Sequence, residues 1–357
     1  MTRRERLMAA ITVLAGLVGS FAVAEIALRL GGYEPTFNDA MAYFNVDDPV
    51  LGYRGRPNAA NRFRKPQFDV LVRHDARGFR LHESAPPADP GARVLAVIGD
   101  SFTWGWGVGQ GQVYTDRLQA LLPRWRIENM GVSGLGTVSY HRLVQTELRS
   151  RLRVGDAMLV TLYYNDFSDN LSNPLRARVE DGRIVVLGPV SLPRSSPFHA
   201  LSGRSHAVNL IDRVAYEQVE RWFQRRAARD LEISLDAPEV APGVAIMRHF
   251  MAALGEECRT LGVDLTFLLI PDYTELGEAV EEMPADARVL ERDARTMFLR
   301  LAGELGVPVI DLLPVFLERK RAGAGRMTFR GDRHWTAPAH EAAAQAIARR
   351  LCAAGGC

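Results

Sequence analysis

The sequence places a serine where a buried strand ends, and a potential base for it near the other end of the chain. Ser101 follows the apolar stretch VLAVIGD, and the segment GDRHWTAPAHEAAA contains Asp332 and His334 just before a helical pattern. A serine hydroxyl becomes an effective nucleophile when a histidine takes its proton and a third group orients that histidine. These residue types predict covalent acyl chemistry. The alternative is that Asp100 and Ser101 only cap the helix that follows.

Two further segments contain groups suited to holding the negative charge that forms in such a reaction. NMGVSGLGT carries three glycines, among them Gly134, where a backbone without side chains can point an amide N–H at an oxygen. LYYNDFSDN carries Asn165, whose side-chain amide is a second donor. Each segment alone is typical of a loop; their shared position at strand ends favours a common site. His340, inside the last helix, is expected on the helix surface.

Apolar strands and helical patterns alternate from Arg93 to the end of the chain. The runs that predict strands are RVLAVIG, RIENMGVSG, DAMLVTLYYND, VDLTFLLIP and VPVIDLLPVF. This alternation predicts a three-layer α/β/α domain of the flavodoxin-like type, in which helices cover both faces of a central parallel sheet. Active sites in that architecture lie at the carboxyl ends of the strands, where the candidate segments fall.

Other parts of the chain surround this domain. Residues 1–30 are predicted to be a cytoplasmic tip with an anchor or signal segment, and residues 31–90 a small extension packed on the main domain, residues 91–357. Residues 170–245 break the alternation: ARVEDGRIVVL predicts a hairpin with an Asp-Gly turn, and AVNLIDRVAYEQVERWFQRR predicts an amphipathic helix. This insertion follows the third core strand and is expected to overhang the site.

Together these segments resemble the SGNH (GDSL-type) hydrolase superfamily. GDSFTWGWGV is similar to the first sequence block of that family, NMGVSGLGT to the second, YYND to the third and GDRHW to the last. The resemblance covers residues 93–351, with residues 170–245 as extra material. It implies a catalytic triad in which Ser101 is the nucleophile, His334 the base and Asp332 its partner. It also implies an oxyanion hole formed by the backbone amide of Ser101 with Gly134 and Asn165.

The sequence departs from the family pattern in two places. Tyr163 stands where a glycine usually precedes the asparagine block, which is expected to narrow the cleft near Asn165. Only Arg333 separates Asp332 from His334, whereas the family usually has two residues there. That spacing is similar to the last block of polysaccharide O-acetyltransferases of the alginate type, so hydrolysis and acyl transfer both remain open.

The resemblance implies an ester hydrolase that works through an acyl-enzyme and requires no metal or organic cofactor. The expected substrates are O-acyl esters, above all O-acetyl esters, of cell-envelope glycans or lipids. The alternatives are a polysaccharide O-acetyltransferase that uses the same triad and a non-catalytic carbohydrate-binding scaffold, against which the intact candidate residues argue. Trp104, Trp106 and Tyr163 either bind the substrate, by stacking on a sugar or lining an acyl pocket, or only pack the cleft wall.

The start of the chain indicates export. RRER precedes residues 7–24, an uncharged segment at the short end of what crosses a hydrocarbon core of about 30 Å. Arginines before the segment predict a cytoplasmic N-terminus and a catalytic domain on the periplasmic side of the membrane. The apolar length favours an uncleaved anchor. Because AVA before Glu25 is typical of a signal-peptidase site, secretion after cleavage near Ala24 is the alternative.

The amino-acid composition restricts the class of protein and its expected partners. The chain of 357 residues is 47% hydrophobic and 24% charged, with a formal net charge of +2, which is typical of a globular protein with a sizeable core. A basic run with interleaved aromatic residues is absent from the sequence, so nucleic acid is not an expected partner. The membrane, an acylated glycan or lipid and envelope polysaccharide machinery are the expected partners. Cys258, Cys352 and Cys357 lack zinc-site spacing, and pairing of the last two is left open.

Overall fold

The fold is known from a computed structural model. It describes residues 2–33, 43–65, 67–82, 91–172, 175–188, 201, 204–215, 241–278, 287–330 and 332–353. The chain divides into two compact units, one formed by residues 1–38 with 193–224 and the other by residues 39–192 with 225–357.

The smaller unit contains a long apolar helix, α1 (Arg3–Leu30). Thr2 caps it: the Thr2 side chain accepts a hydrogen bond from the Glu5 amide, and the Glu5 carboxylate accepts one from the Thr2 amide. No residue of α1 is buried, and its most apolar 18-residue window has a mean hydropathy of 2.2. Within the described ranges α1 is the one helix long and apolar enough to cross a membrane, a test that signal sequences also pass. Residues 206–215 of the same unit are helical as well.

The larger unit begins with two antiparallel hairpins. β1 (Asn45–Asp48) pairs with β2 (Gly52–Gly55), and β3 (Ala60–Lys65) pairs with β4 (Phe68–Arg73). Phe63 and Phe68 of the second hairpin pack in one buried cluster with Trp104. The hairpins therefore cover the segment that follows the predicted nucleophile.

Five parallel strands form the central sheet: β5 (Arg93–Gly99), β6 (Trp125–Gly131), β7 (Ala157–Leu162), β10 (Asp264–Leu269) and β11 (Val309–Asp311). Their spatial order is β6-β5-β7-β10-β11. The chain leaves β5 for β6 on one side and continues with β7 on the other, so the winding reverses at β5. Crevices form at the carboxyl ends of strands at such a point.

Helices lie in layers on both faces of this sheet. In chain order they are α2 (Ser101–Trp104), α3 (Tyr114–Leu121), α4 (Thr137–Leu143) with a π-helical continuation (Val144–Leu148), α5 (Asp166–Ser172), α6 (Ala241–Leu261), α7 (Ala287–Leu305), α8 (Leu312–Arg321) and α9 (Ala337–Ala353). Ala96 and Ile98 of β5 join the core under α4 and α6, whereas Leu95 and Val97 join the core under α3 and α9. Because both faces of the strand are buried, it is apolar throughout. The predicted α/β/α fold with a central parallel sheet is confirmed.

The insertion contains a short hairpin, β8 (Ala177–Glu180) with β9 (Arg183–Val186). Asp181 and Gly182 turn with φ of 49° and 74°, the left-handed backbone that this type of hairpin turn requires. The predicted hairpin is confirmed. The predicted helix over residues 207–226 is confirmed for residues 207–215, and its remaining residues fall outside the described ones. The predicted overhang of the site stays a prediction.

The strand predicted over VPVIDLLPVF is confirmed up to Asp311 and is wrong beyond it, where the structure has a helix. Strand β11 ends at Asp311, and α8 begins at once because the Asp311 side chain accepts a hydrogen bond from the Leu313 amide at 3.1 Å. Pro314 lies in the first helical turn, where its missing N–H costs no hydrogen bond. A continuous apolar run thus contains a strand and the start of a helix.

The cysteines differ in state. Cys258 is a free, buried thiol within the core, whereas Cys352 is disulfide-bonded. Cys357 lies outside the described residues.

The surface position expected for His340 is wrong. This imidazole is 1% exposed, stacks on Tyr114 with ring centres 5.9 Å apart, and accepts a hydrogen bond from the Tyr114 amide at 3.2 Å. Burial, reinforced by the charge of Arg80, lowers the pKa of His340 to about 3. The side chain is therefore a neutral part of the core.

A neutral buried histidine makes stability depend on pH. Between about pH 6.5 and 3 the unfolded chain binds a proton at His340 that the folded chain does not, so folding weakens as the pH falls through this range. We expect the stability of the wild type relative to His340→Gln to fall by up to about 1.4 kcal/mol per pH unit. Urea unfolding across this range measures the difference. His249→Gln, at an exposed position, is the control. If the difference in free energy of unfolding between the wild type and His340→Gln does not change with pH, His340 is not the source of the pH dependence.

Candidate active site

Ser101 lies in the first turn after β5, at the reversal point of the sheet. Asp100 caps α2, because its carboxylate accepts a hydrogen bond from the Phe102 amide at 3.0 Å. The helix ends after one turn at Gly105, whose φ of 87° is a left-handed conformation that favours glycine. The cap is therefore the Asp100 side chain, and the Ser101 hydroxyl is directed to His334 instead.

The structure brings Ser101, His334 and Asp332 into one hydrogen-bonded chain. His334 Nε2 lies 2.8 Å from Ser101 Oγ, and His334 Nδ1 lies 2.5 Å from Asp332 Oδ1. The serine is 233 positions from the histidine, so only the fold brings them together. A serine bonded to an imidazole that is itself bonded to a carboxylate is the arrangement that activates a serine for acyl transfer.

The single residue between Asp332 and His334 fits this geometry. Asp332 Oδ1 accepts the backbone N–H of His334 at 2.9 Å as well as its ring Nδ1. An aspartate that bonds the amide two positions on closes a local turn. The same oxygen therefore fixes both the backbone and the ring of His334, which explains how the short spacing supports a triad.

Two aromatic rings enclose the His334 imidazole. Trp106 stacks on it with ring centres 4.6 Å apart and planes 18° apart, and Phe102 lies at 5.0 Å. Trp106 also donates its indole N–H to Asp332 Oδ2 at 3.1 Å, which provides the second carboxylate oxygen with a partner. Lys65 of β3 places its ammonium 4.9 Å from the centre of the Trp106 ring.

The Asp332 carboxylate is held in its ionised form. Burial alone would raise its pKa, but the charge of His334, the hydrogen bonds from His334 and the charge of Lys65 together hold the pKa well below its ordinary value. An ionised carboxylate at this place favours the protonated form of the neighbouring imidazole.

Asn165 lies beside the nucleophile segment. Its side-chain N–H₂ donates to Asp169 Oδ2 at 2.9 Å and lies 3.4 Å from Asp100 Oδ2. Because Asp100 directly precedes Ser101, these contacts fix the amide next to the serine. The end of β7 thus meets the end of β5, as the sequence predicted.

Gly134 lies in the turn after β6. It has a φ of 80°, and the Leu135 amide donates to the Val132 carbonyl at 3.3 Å to close the turn. The Val132 amide in turn donates to the Gly99 carbonyl at 3.1 Å, two residues before Ser101. The three predicted strand-end segments therefore converge on one edge of the sheet.

Carboxylic acids lie buried beneath this edge. Burial raises the pKa of Asp100, an effect that the Phe102 amide and the charge of His334 partly oppose. Burial, followed by the negative charge of Asp100, raises the pKa of Asp166 well above its ordinary value. Asp166 accepts the Tyr163 amide at 2.9 Å and so shapes the turn that carries Asn165. These groups support the loop geometry beneath the site.

The three aromatic residues predicted at the substrate differ in position. Trp104 is 1% exposed and donates its indole N–H to His74 Nε2 at 2.8 Å. Tyr163 is buried, and its hydroxyl donates to Asp272 at 2.6 Å. Of the two predicted roles, packing in the wall of the cleft agrees with the buried positions of Trp104 and Tyr163. Trp106 is half-buried and bonded to the Asp332 and His334 pair.

Sequence reasoning missed the supporting contacts around the triad. Those made by Trp106, Phe102 and Lys65 join segments far apart in the chain, and the residue types alone do not signal them. The sequence signals a role for Trp106 only by placing it between two glycines, shortly after Ser101. Among the described residues no group of three or more His, Cys, Asp or Glu side chains is placed to hold a metal ion.

The chain resembles several solved structures. A member of the lipolytic protein G-D-S-L family from Veillonella parvula is 13% identical, with 73% of this chain and 99% of that chain covered and a TM-score of 0.44. An acetylxylan esterase from Geobacillus stearothermophilus is 15% identical, with 72% and 94% covered and a TM-score of 0.39. Another acetyl xylan esterase is 12% identical, with 72% and 99% covered and a TM-score of 0.41. No curated protein sequence matches the chain.

A family model matches most of the larger unit. The GDSL-like Lipase/Acylhydrolase family model covers residues 97–342, which is more than two thirds of the chain. The match begins within β5, just before Ser101, and extends past His334 into α9. The chain therefore belongs to the GDSL-like lipase/acylhydrolase family and is a carboxylic ester hydrolase.

Proposed function

We propose that this protein hydrolyses O-acyl esters, with O-acetyl esters preferred, of cell-envelope glycans or lipids through an acyl-enzyme on Ser101. The observation that carries the proposal is the hydrogen-bonded chain from Ser101 Oγ through the His334 ring to Asp332. It supplies a nucleophile, a base and an orienting carboxylate in one geometry.

Acylation begins with attack of Ser101 Oγ on the ester carbonyl carbon. His334 Nε2 takes the hydroxyl proton as the new C–O bond forms, and the carbonyl oxygen becomes an oxyanion. As the first residue of α2, Ser101 has a backbone N–H with no acceptor within the helix, which suits it to hold that oxygen with the Gly134 amide and the Asn165 side chain. The ester C–O bond then breaks, and His334 gives its proton to the departing alcohol.

Deacylation repeats these steps with water. His334 Nε2 removes a proton from water, the hydroxide oxygen attacks the acyl carbon, and the same donors hold the second oxyanion. The bond to Ser101 Oγ breaks, the serine recovers its proton from His334, and the carboxylic acid leaves. Asp332 stays ionised throughout, because its surroundings hold its pKa low.

The Asn165 amide is the side-chain donor of the proposed oxyanion hole. We expect Asn165→Ala to lower kcat by about 10²- to 10³-fold with a smaller change in KM, because the lost hydrogen bond is strongest in the transition state. Steady-state kinetics with p-nitrophenyl acetate measures both constants. Gln145→Ala, which removes an exposed side-chain amide from the π-helical segment, is the matched control. An unchanged kcat for Asn165→Ala removes Asn165 from the proposed hole.

The Trp106 indole is proposed to position the Asp332 and His334 pair. Trp106→Phe keeps an aromatic ring but removes the donor to Asp332, so we expect kcat to fall about tenfold or more at nearly constant KM, as a hydrogen bond to a charged group contributes about 1.5–3 kcal/mol. Kinetics with p-nitrophenyl acetate and with an acetylated glycan separates the roles. A raised KM for the glycan with unchanged kcat for both substrates indicates sugar stacking instead.

A short acyl group is favoured by the packing beside the nucleophile. The Phe102 and Tyr163 rings lie 4.6 Å apart, and the Tyr163 hydroxyl is fixed by Asp272. Tyr163 fills the place where the family pattern has a glycine. A fixed tyrosine in place of that glycine leaves less room near Asn165, which supports a short acyl group such as acetyl.

The proposed location is the periplasmic face of a membrane, with α1 as an uncleaved anchor. The segment of residues 7–24 is uncharged, arginines precede it, and the helix continues without a break past Ala24 to Leu30. Secretion after cleavage near Ala24 is the alternative. N-terminal sequencing of the mature protein distinguishes the two, since cleavage makes Glu25 the first residue.

Acyl transfer to a glycan hydroxyl is a second candidate, favoured by the single residue between Asp332 and His334. Incubation of the full chain in detergent with p-nitrophenyl acetate, with and without bacterial polysaccharides, separates the two functions. Release that depends on Ser101 but not on a glycan supports hydrolysis. Release that requires a glycan which itself becomes acetylated supports transfer. Release that is equal in Ser101→Ala contradicts both.

A further inference from the structure

The far end of α1 binds a second segment of the chain through Glu25. Its carboxylate accepts hydrogen bonds from Ser205 Oγ at 2.8 Å, from the Ala207 amide at 2.8 Å and from the His206 amide at 3.1 Å. Arg29, one turn further along α1, donates to the same carboxylate at 2.7 Å. Residues 205–207 are thereby fixed to the end of α1 that faces away from the N-terminus.

A second set of contacts extends this attachment along the helical residues 206–215. The Tyr33 hydroxyl donates to Asn209 Oδ1 at 2.9 Å, and Asn209 is buried. The Arg213 guanidinium lies 5.8 Å from the centre of the Tyr33 ring. Contacts at residues 205–207, 209 and 213 hold two turns of this helix against the end of α1.

The position of Glu25 fixes the depth of this helix if α1 spans a bilayer. Residues 7–24 carry no charge, and 18 helical residues span about 27 Å, close to the thickness of a hydrocarbon core. Glu25 is the first charged residue beyond them and therefore lies where the hydrocarbon meets the headgroups. Groups within hydrogen-bonding distance of its carboxylate lie at the same level.

The segment that Glu25 holds at this level exposes three large apolar side chains. Leu201 is 53% exposed, Ile211 52% and Val214 47%, while Asn209, on the helix face opposite Ile211 and Val214, is buried against Tyr33. Ile211 and Val214 are three positions apart, so they share one helix face. A helix with an apolar face at headgroup depth is suited to lie in the membrane interface.

We infer that residues 201–215 form a membrane-surface segment that inserts Leu201, Ile211 and Val214 into the headgroup region of the bilayer that α1 spans. The partner is the lipid bilayer itself, because the Glu25 contacts hold this segment where the apolar part of α1 meets the headgroups. Arg204, exposed beside Glu25, suits an anionic lipid headgroup. This inference rests on the proposed anchoring of α1.

Photo-crosslinking tests it on the full chain. The protein is reconstituted in vesicles of phosphatidylethanolamine and phosphatidylglycerol that contain a lipid with a diazirine at headgroup level, irradiated, and mapped by mass spectrometry. We expect lipid adducts on residues 201–215 as well as on α1. Ile211→Asp with Val214→Asp is expected to abolish the adducts on residues 201–215 and to leave those on α1.

A matched pair of variants tests the attachment. Glu25→Ala removes the acceptor for residues 205–207 but keeps α1 helical, so adducts on residues 201–215 are expected to be lost; Glu5→Ala, at the other end of α1, is expected to retain them. Adducts on α1 without any on residues 201–215 in the wild type overturn the inference but leave the anchor intact. A mature chain that begins at Glu25 and stays in the soluble fraction overturns the anchor, and the inference with it.

Discussion

Ser101→Ala is expected to lower kcat for p-nitrophenyl acetate by about 10⁴- to 10⁶-fold, the loss typical when a triad nucleophile is removed. The physical reason is that the variant has no atom that can form the acyl-enzyme, although the His334 and Asp332 pair and the oxyanion donors remain. Stopped-flow and steady-state kinetics of the full chain in detergent measure the loss. The fold should persist, because the Asp100 cap of α2 does not involve the Ser101 hydroxyl.

Ser150→Ala is the matched control for that experiment. Ser150 is exposed and lies in the turn after the π-helical segment, so its hydroxyl is expected to be dispensable. Equal turnover by Ser101→Ala and wild type would falsify the assignment of the nucleophile. Equal losses in the two serine variants would indicate that the loss in Ser101→Ala is not specific to the site.

Variants of His334 and of His340 are expected to behave in opposite ways. His334→Ala should lower kcat by about 10⁴-fold, because both proton transfers pass through its Nε2, and should change stability little. His340→Ala should leave kcat of the folded enzyme nearly unchanged but cost about 2–4 kcal/mol of stability, because it leaves a cavity between Tyr114 and Trp335. Kinetics and urea unfolding measure kcat and the free energy of unfolding for each variant.

A comparable loss of kcat in folded His340→Ala contradicts the assignment of His334 as the only base. Retained activity in His334→Ala contradicts it as well. Imidazole added to His334→Ala provides a second test, because a free base that enters the vacated site should restore part of the rate without affecting His340→Ala.

The architecture was predictable because it depends on patterns that are local in the sequence. Strands buried on both faces are apolar throughout, so β5, β7 and β10 stand out as continuous runs. The turn at Asp181 and Gly182 was also evident from two residues. The boundary at Asp311 was not, because apolar side chains continue from β11 into α8 and only the carboxylate cap marks the change.

The candidate site was predictable to the level of its residue types. The segments of Ser101, Gly134 and Asn165 each follow a strand of the sheet, and parallel strands bring their carboxyl ends to one edge. His334 lies beyond α8, in the loop before α9, and reaches the same edge. The resemblance to a known family then assigned a role to each residue. What the sequence could not supply was the geometry that makes the short spacing work, in which Asp332 Oδ1 holds both the amide and the ring of His334.

Contacts between distant segments account for the remaining differences. His340 was expected at the surface because a polar residue in an alanine-rich helix usually faces solvent, yet Tyr114 from α3 covers it. Trp106 was expected near the substrate, and its bond to Asp332 joins residues 226 positions apart. The attachment of residues 205–207 to Glu25 spans a similar distance. Such contacts depend on the whole fold, and no local pattern indicates them.

Trapping the acyl-enzyme shows directly whether Ser101 is the nucleophile. The full chain is mixed with p-nitrophenyl acetate, quenched in acid during the first turnover, digested and mapped by mass spectrometry, while the release of p-nitrophenol is followed in parallel. We expect a burst of p-nitrophenol and an acetyl group on the peptide that contains Ser101, with neither in Ser101→Ala. An acetyl group on another residue together with a burst that persists in Ser101→Ala contradicts the assignment of Ser101 as the nucleophile.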